Sequence, residues 1–285
     1  VGTRIYTYIY TMTYILEKCA SKDIEVVILD RPNPVGIEKV EGNILDPKFA
    51  SFVGRHPMPV RHGLTIGEVA LMHQSYWHKS QCHLKVIEMK NYTSKTSFEE
   101  TLLPYVNPSP NLPTLSGCFT FIGTVLFEGT NISEGRGTTR ALEQIGHPVL
   151  DPWKLQSHFN QLLEKSNIMG VKLRPTHFHP MFQKHANETC GGFFIHILDD
   201  NKFNGWKFCQ VFLKEFKRLF PNEFKYKEGD YEYADHLNPI DMINGTDKLR
   251  NWYDEKDFHF EFLDKIEDIG RKQYLEQRRE ITLYR

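Results

Sequence analysis

Apolar residues at Ile5, Ile9, Met12 and Ile15-Leu16 recur at helical spacing and predict an amphipathic helix from Ile5 to Lys18. Glu25-Val26-Val27-Ile28-Leu29 is a β-branched run ending at Asp30, and it reads as a buried parallel strand. Arg31-Pro32-Asn33-Pro34 follows, and its two prolines forbid both helix and central strand. From Arg31 to Gly63 the pattern predicts no regular element. Phe49, Phe52, Val53 and Val60 predict that this long loop is nevertheless packed. Thr65-Ile66-Gly67-Glu68 is a capping box, so Glu68 is assigned a structural role at the start of a helix reaching about Trp77. His73 and His78 lie on that helix and read as surface or core residues. Leu84 to Met89 is a second strand. Pro104 to Pro113 holds four prolines and reads as a stiff loop, either a rigid connector or a holder of Asn111 for a ligand contact. Thr114 caps a helix to about Phe121, ended by Gly123. Thr124 to Phe127 then reads as a buried strand, and Thr139 to Ile145 as a short helix.

Gly146-His147-Pro148 breaks the chain, and a domain boundary is expected there, giving domains of residues 1–147 and 148–285. Asp151-Pro152 places an N-cap before an N1 proline and opens a helix to about Lys165. Val171 to Phe178 and Gly192 to Leu198 read as strands, and Gly205 to Leu219 as a helix. Gly245-Thr246-Asp247 starts a short helix. The charged segment from Asp254 reads as a mostly helical, solvated face. Helices alternating with strands imply an α/β fold.

Composition changes this picture little. The 285 residues are 40% hydrophobic and 25% charged, ordinary for a globular protein. A formal net charge of −1 gives no bulk attraction to nucleic acid or anionic membrane, and no apolar run is long enough for a membrane span. Aromatics at 13% fit either a large core or platforms for sugars. Five widely spaced cysteines without a CxxC argue against a zinc ribbon or a disulfide scaffold.

The chemistry gathers in Phe127 to Thr138, where Glu128, Asn131, Glu134 and Arg136 stand among three glycines. Five residues separate Gly129 from Gly135, and Arg136 follows where a P-loop needs Lys, so no phosphate cradle is present. GxSxG and HExxH are also absent. Loops after Asp30 and before Gly63 add Asp30, Asn33, Glu41, Arg61 and His62. His177, His179 and His185 suggest metal ligands. No third ligand at a recognisable spacing completes a zinc site, so a sugar-contacting or structural role is assigned to His177. No metal and no cofactor are expected. Carboxylates, amides, arginines and aromatics on loops suit glycoside hydrolysis, where two carboxyls about 5–5.5 Å or about 6.5–9.5 Å apart divide the acid and nucleophile or base roles.

Laid out in order, the chain resembles the exo-β-N-acetylmuramidase NamZ family. The carriers are Val1 to Tyr8, Asp30-Arg31-Pro32-Asn33-Pro34, Val40-Glu41-Gly42 and Pro59-Val60-Arg61-His62-Gly63. Pro108-Ser109-Pro110-Asn111, Phe127 to Thr139, Cys190-Gly191-Gly192 and Asn244-Gly245-Thr246-Asp247 continue the series. The resemblance implies a partial Rossmann-like domain followed by a smaller α/β (α+β) C-terminal domain, with the active cleft between them. It implies release of terminal β-linked N-acetylmuramic acid from peptidoglycan fragments, in a periplasmic or extracellular setting. It also implies a preceding Glu-His-Gly segment, so the chain is expected to start after part of its catalytic apparatus. Under this reading Glu128 and Glu134 are the catalytic carboxylates. Arg61, His62 and Arg136 bind the lactyl carboxylate, and Asn33, Asn111 and Asn131 bind hydroxyls and the acetamido group. The alternatives are a non-catalytic saccharide-binding protein and, more weakly, a sugar-nucleotide enzyme.

Overall fold

The structure, a computed structural model, describes residues 1–79 and 81–285. Two compact units are present. The first joins Val1–Pro104 to Lys265–Arg285, and the second is Tyr105–Asp264. The fold is mixed α/β, as the pattern predicts.

In the first unit, α1 (Tyr8–Ala20) buries Ile9, Tyr10, Thr13 and Leu16. β1 (Val26–Leu29) pairs in parallel with β2 (Leu84–Ile87), and α2 (Ile66–Met72) lies on the connection between them. The capping box forms as expected: Glu68 N–H donates to Thr65 Oγ1 and Thr65 N–H to Glu68 Oε2. β1 is not buried on both faces. Val27 is 50% and Leu29 71% exposed, so its apolar run does not report double burial. The loop after β1 packs as predicted, with Val35, Ile37, Val53, Met58 and Val60 at 2% exposure or less. The C-terminal segment is not a solvated face. In α9 (Arg271–Ile281) Tyr274 and Ile281 are buried and join a core with Ile9, Val40, Leu64 and Met72. Tyr274 donates to His62 O at 2.6 Å, Arg278 Nε to Gly63 O at 2.9 Å, and Tyr284 to Asp30 at 2.8 Å.

The second unit holds a three-stranded antiparallel sheet ordered β3 (Gln144–His147), β5 (Cys190–Ile197), β4 (Val171–Phe178). The expected boundary at 147/148 therefore falls within this unit, because the Gly146 break is a strand hydrogen-bonded to β5. The expected helix over Thr139 to Ile145 is instead a turn leading into β3. Asp151 accepts from Lys154 N–H and caps α4 (Pro152–Lys165) as predicted. The aromatic residues answer the question that composition left open: many make core. Phe159 of α4 stacks on Phe212 of α5 (Gly205–Leu219) with centroids 4.8 Å apart, and Phe193 closes on Phe159 at 5.2 Å. Thr114 caps α3 (Leu115–Thr124) as expected, but Gly123 does not end it. A Cβ there would lie 1.9 Å from Gly205 O, so glycine is what lets α3 and α5 approach. Three of the five free cysteines, Cys118, Cys190 and Cys209, are buried as small apolar residues. Among the described residues no helix is long and apolar enough to cross a membrane.

Candidate functional site

The run expected as a strand before the central loop continues α3 as a 3₁₀ turn, Val125–Gly129. Val125, Leu126 and Phe127 are buried, and a short buried apolar run has no periodicity to separate helix from strand. Beyond it the chain bridges back on β3: Ser133 and Gly146 exchange backbone bonds of 2.8 and 3.0 Å. Gly137 carries φ +85°, and its carbonyl accepts from Met181 N–H at 3.0 Å. An added Cβ there would meet Phe182 O at 2.7 Å, so the loop is pressed against the 181–187 segment by a residue that must be glycine.

That apposition builds an ion cluster. Arg136 lies between the two expected carboxylates, donating through Nη2 to Glu128 Oε1 and lying 3.2 Å through Nε from Glu134 Oε1. Lys184 pairs with the other Glu134 oxygen and donates to Phe127 O and Ile132 O, both at 2.7 Å. Tyr231 donates to Glu128 Oε2 at 2.7 Å. Two carboxylates thus face two cations. Burial opposes the charge on Arg136, but Glu128 and Glu134 outweigh it and raise its pKa. Burial, then Glu128, pushes the Tyr231 phenol well above its usual value, so it acts as a hydrogen-bond donor. Glu134 is sealed at 1% exposure, while the Glu128 side chain keeps 18%. Removing one member of such a cluster leaves an uncompensated charge, a loss of about 3–5 kcal/mol where the site is fully buried.

Beside this loop, within the same unit, lies a pocket of about 680 Å³ lined by Thr138, Arg140, Arg174, Phe178, Phe194 and His196, among others. Its floor is one cross-strand row, because Gln144 and Arg174 are both register partners of Phe194. Arg140 and Arg174 hold their guanidiniums 5.2 and 5.5 Å from the Phe194 ring centre. Gln144 donates to the Thr138 hydroxyl at 2.7 Å, which fixes the loop over the row. Two guanidiniums over an aromatic face suit a carboxylate attached to an apolar or sugar body.

The other expected residues are distributed differently. Asp30 accepts from Thr65 Oγ1–H, Gly67 N–H and Tyr284 O–H, which ties α2 and the C-terminus to the end of β1. It also borders a pocket of about 400 Å³ with Arg31, Lys90 and Tyr92, where β1 and β2 end. Asn33 bonds Leu64 O and Val35 N within the loop. Arg61 pairs with Glu41 at 2.6 Å and donates to Val35 O, with both side chains buried. His62 is buried against Leu64 N, and burial draws its pKa down to about 3, which removes it as a cation for a substrate carboxylate. Asn131 clamps the 223–225 strip, accepting from Lys225 N–H and donating to Glu223 O. Asn111 is half-buried beside the Ser109 turn. His177 is exposed, its ring 4.9 Å from Trp153. His185 packs on His147 and Asn131 O, so the three histidines from 177 to 185 serve separate contacts. Sequence reasoning missed Lys184, Tyr231, Arg140 and Arg174. The first two come from distant loops. Arg174 meets Phe194 through the register of β4 on β5, and Arg140 reaches it from the turn before β3, which no local pattern encodes.

Fold and site together define a two-unit α/β protein with a charge-paired glycine loop beside an arginine-lined pocket. The same fold occurs in two crystal structures of DUF1343 family proteins from Bacteroides fragilis NCTC 9343. One is 27% identical with a TM-score of 0.89 and the other 31% identical with 0.75; each comparison covers all of this chain and 73% of the other. Residues 1–116 match the profile described as exo-beta-N-acetylmuramidase NamZ, N-terminal, and residues 119–284 match its C-terminal counterpart. The chain belongs to the exo-β-N-acetylmuramidase NamZ family. A relative, the peptidoglycan beta-N-acetylmuramidase NamZ of Bacillus subtilis (strain 168), is 42% identical over 226 residues, 79% of this chain and 53% of that one. The chain spans about half the length of this curated relative.

Proposed function

We propose that this protein is a glycosidase of the peptidoglycan, releasing terminal β-linked N-acetylmuramic acid from cell-wall fragments. The observation that carries the proposal is the match to both halves of the muramidase family along nearly the whole chain. The geometry of the second unit suggests how the parts are divided. Glu128, the carboxylate that keeps some exposure, is the reacting acid. Glu134, sealed under Arg136 and Lys184, positions the loop. Recognition of the lactyl carboxylate falls to Arg140 and Arg174 rather than to the buried Arg61 and His62. Asn111 is the amide retained for the sugar, since Asn33 and Asn131 bond their own backbone surroundings. The parallel β1–β2 pair is read as the Rossmann-like part, and a peptidoglycan substrate supports a periplasmic or extracellular setting.

A chromogenic muramic acid glycoside tests the division. Glu128→Gln is expected to lower kcat by about 10²–10⁴-fold, the range for loss of general acid catalysis, with a smaller loss of stability than Glu134→Gln because Glu134 still pairs with Arg136. Glu134→Gln is expected to lower turnover and also stability. Full activity in both variants would remove the catalytic assignment while leaving the family intact. One observation favours a second reading, a saccharide-binding protein without catalysis: Arg136 and Tyr231 both occupy Glu128. Calorimetry with a muramic acid disaccharide separates the two, because a binder gives heat without releasing reducing sugar.

A further inference from the structure

Glu17, His73 and His78 meet in the first unit, remote in sequence from the central loop. Each offers one ligand atom, and the three atoms lie within 4.8 Å of one another. Nε2 of His73 is 3.3 Å and Nε2 of His78 3.9 Å from Glu17 Oε1. Tetrahedral zinc with bonds of about 2.0–2.1 Å requires ligand atoms about 3.3–3.5 Å apart, so a movement of the His78 ring by about 0.5–1.5 Å closes the set.

Local structure explains how the histidines come together. α2 continues as a π turn over His73–Trp77, and His78 N–H donates to His73 O, five residues back, at 3.0 Å. This wider turn brings residue i+5 over residue i, and the two imidazoles stack 5.5 Å apart and 14° from parallel. An α-helical continuation would point them apart. Single π turns inside helices are frequent at functional sites.

Independent of the spacing, His73 is only 1% exposed, and neither of its ring nitrogens has a hydrogen-bond partner among the described residues. Buried polar atoms without partners are rare and call for a specific explanation. His73 cannot swing away, because His56 lies edge-on at 5.0 Å and is itself stacked on Trp77 at 4.7 Å. Glu17 is also prepared. Its Oε2 accepts from Arg55 Nη2 at 2.9 Å. Nη1 of Arg55 lies 2.8 Å from Oε1 and also donates to Thr13 Oγ1 at 3.2 Å, so the guanidinium grips both carboxylate oxygens. A guanidinium paired with both oxygens fixes the carboxylate's orientation, with Oε1 on the side of the histidines.

We propose that Glu17, His73 and His78 form a site for a zinc-class divalent cation that pins α1 to the π turn. Two imidazoles and one carboxylate select borderline d-block ions, whereas magnesium and calcium call for oxygen ligands throughout. Three protein ligands leave a fourth position, which opens to water on the side of His78, 31% exposed.

The full chain, stripped with chelator and titrated with zinc sulfate, is expected to bind one equivalent with affinity weakened at least tenfold by His78→Ala. Cobalt(II) should give the intense visible bands of a four-coordinate centre in the parent and not in the variant. Saturating zinc should raise the melting temperature by about 5 °C or more, and calcium or magnesium should not. His78 is surface-facing, so its variant folds. Glu17→Gln, which keeps shape and loses charge, provides a second weakening. Absence of zinc binding overturns the site. So does binding of equal affinity in the parent and His78→Ala, the result if the 177–185 histidines capture the ion.

Discussion

At the scale of single residues, burial sorts the expected site into working and structural groups. His62 shows the principle most clearly. Its imidazole is 2% exposed and its pKa is drawn down to about 3, first by burial and then by nearby positive charge. An unfolded histidine titrates near 6.5, so below that pH the unfolded chain binds a proton that the folded chain refuses. Stability conferred by a neutral His62 is therefore full above about pH 6.5. It is lost progressively as pH falls toward about 3. His147 in the second unit, down to about 4 through burial and its neighbour His185, acts in the same direction over a narrower window. His62→Asn keeps an acceptor for Leu64 N–H and removes the titration. It is expected to recover about 1–3 kcal/mol of the stability lost between pH 7 and pH 4. Urea unfolding of parent and variant at the two pH values checks this, and an unchanged pH dependence would contradict it.

At the scale of elements, the sequence was legible wherever a local rule decides. The capping box at Thr65, the Asp151-Pro152 helix start, β4, and α5 all stand where pattern and capping chemistry put them. It was illegible where tertiary packing decides. Val125-Leu126-Phe127 is apolar on every side because it is buried on every side, and that signal is common to strand and helix. Gly123 looked like a helix stop because glycine often is one. Here it serves the packing of α3 on α5, with Gly205 O 1.9 Å from where a Cβ would stand. The obstacle is backbone, not a flexible side chain, so the two helices must separate to admit a methyl group. Gly123→Ala is accordingly expected to destabilise the protein by about 3 kcal/mol, the upper part of the usual overpacking range, despite its better helix propensity. Chemical denaturation measures it. A stabilised variant would mean that α3 and α5 are not in contact at this point.

At the scale of the whole molecule, the chain order hides the partition into units. A reader moving from residue 1 to 285 places one boundary at a glycine-proline break, but the first unit is assembled from both ends of the chain. The physical cause is the loop over residues 31–63. It has little regular secondary structure to satisfy its backbone, so its carbonyls need donors from elsewhere. α9 supplies them: Arg271 to Val40 O, Tyr274 to His62 O and Arg278 to Gly63 O. Tyr284 adds a bond to Asp30, and Leu283 N–H one to Glu68, the partner in the α2 capping box. The aromatic core of the second unit includes no residue of this segment. Deletion of residues 271–285 is therefore expected to bare the apolar group of Ile9, Val40, Leu64 and Met72 and to leave several buried carbonyls without donors, each a loss of about 1–3 kcal/mol. Hydrogen exchange read by mass spectrometry should show protection collapsing over residues 31–72 and persisting over α5 and β5. Tyr274→Phe, which removes one hydroxyl and keeps the ring, should produce a graded version confined to the same segment. Native protection of residues 31–72 in the shortened chain would show that the loop stands without its C-terminal strap.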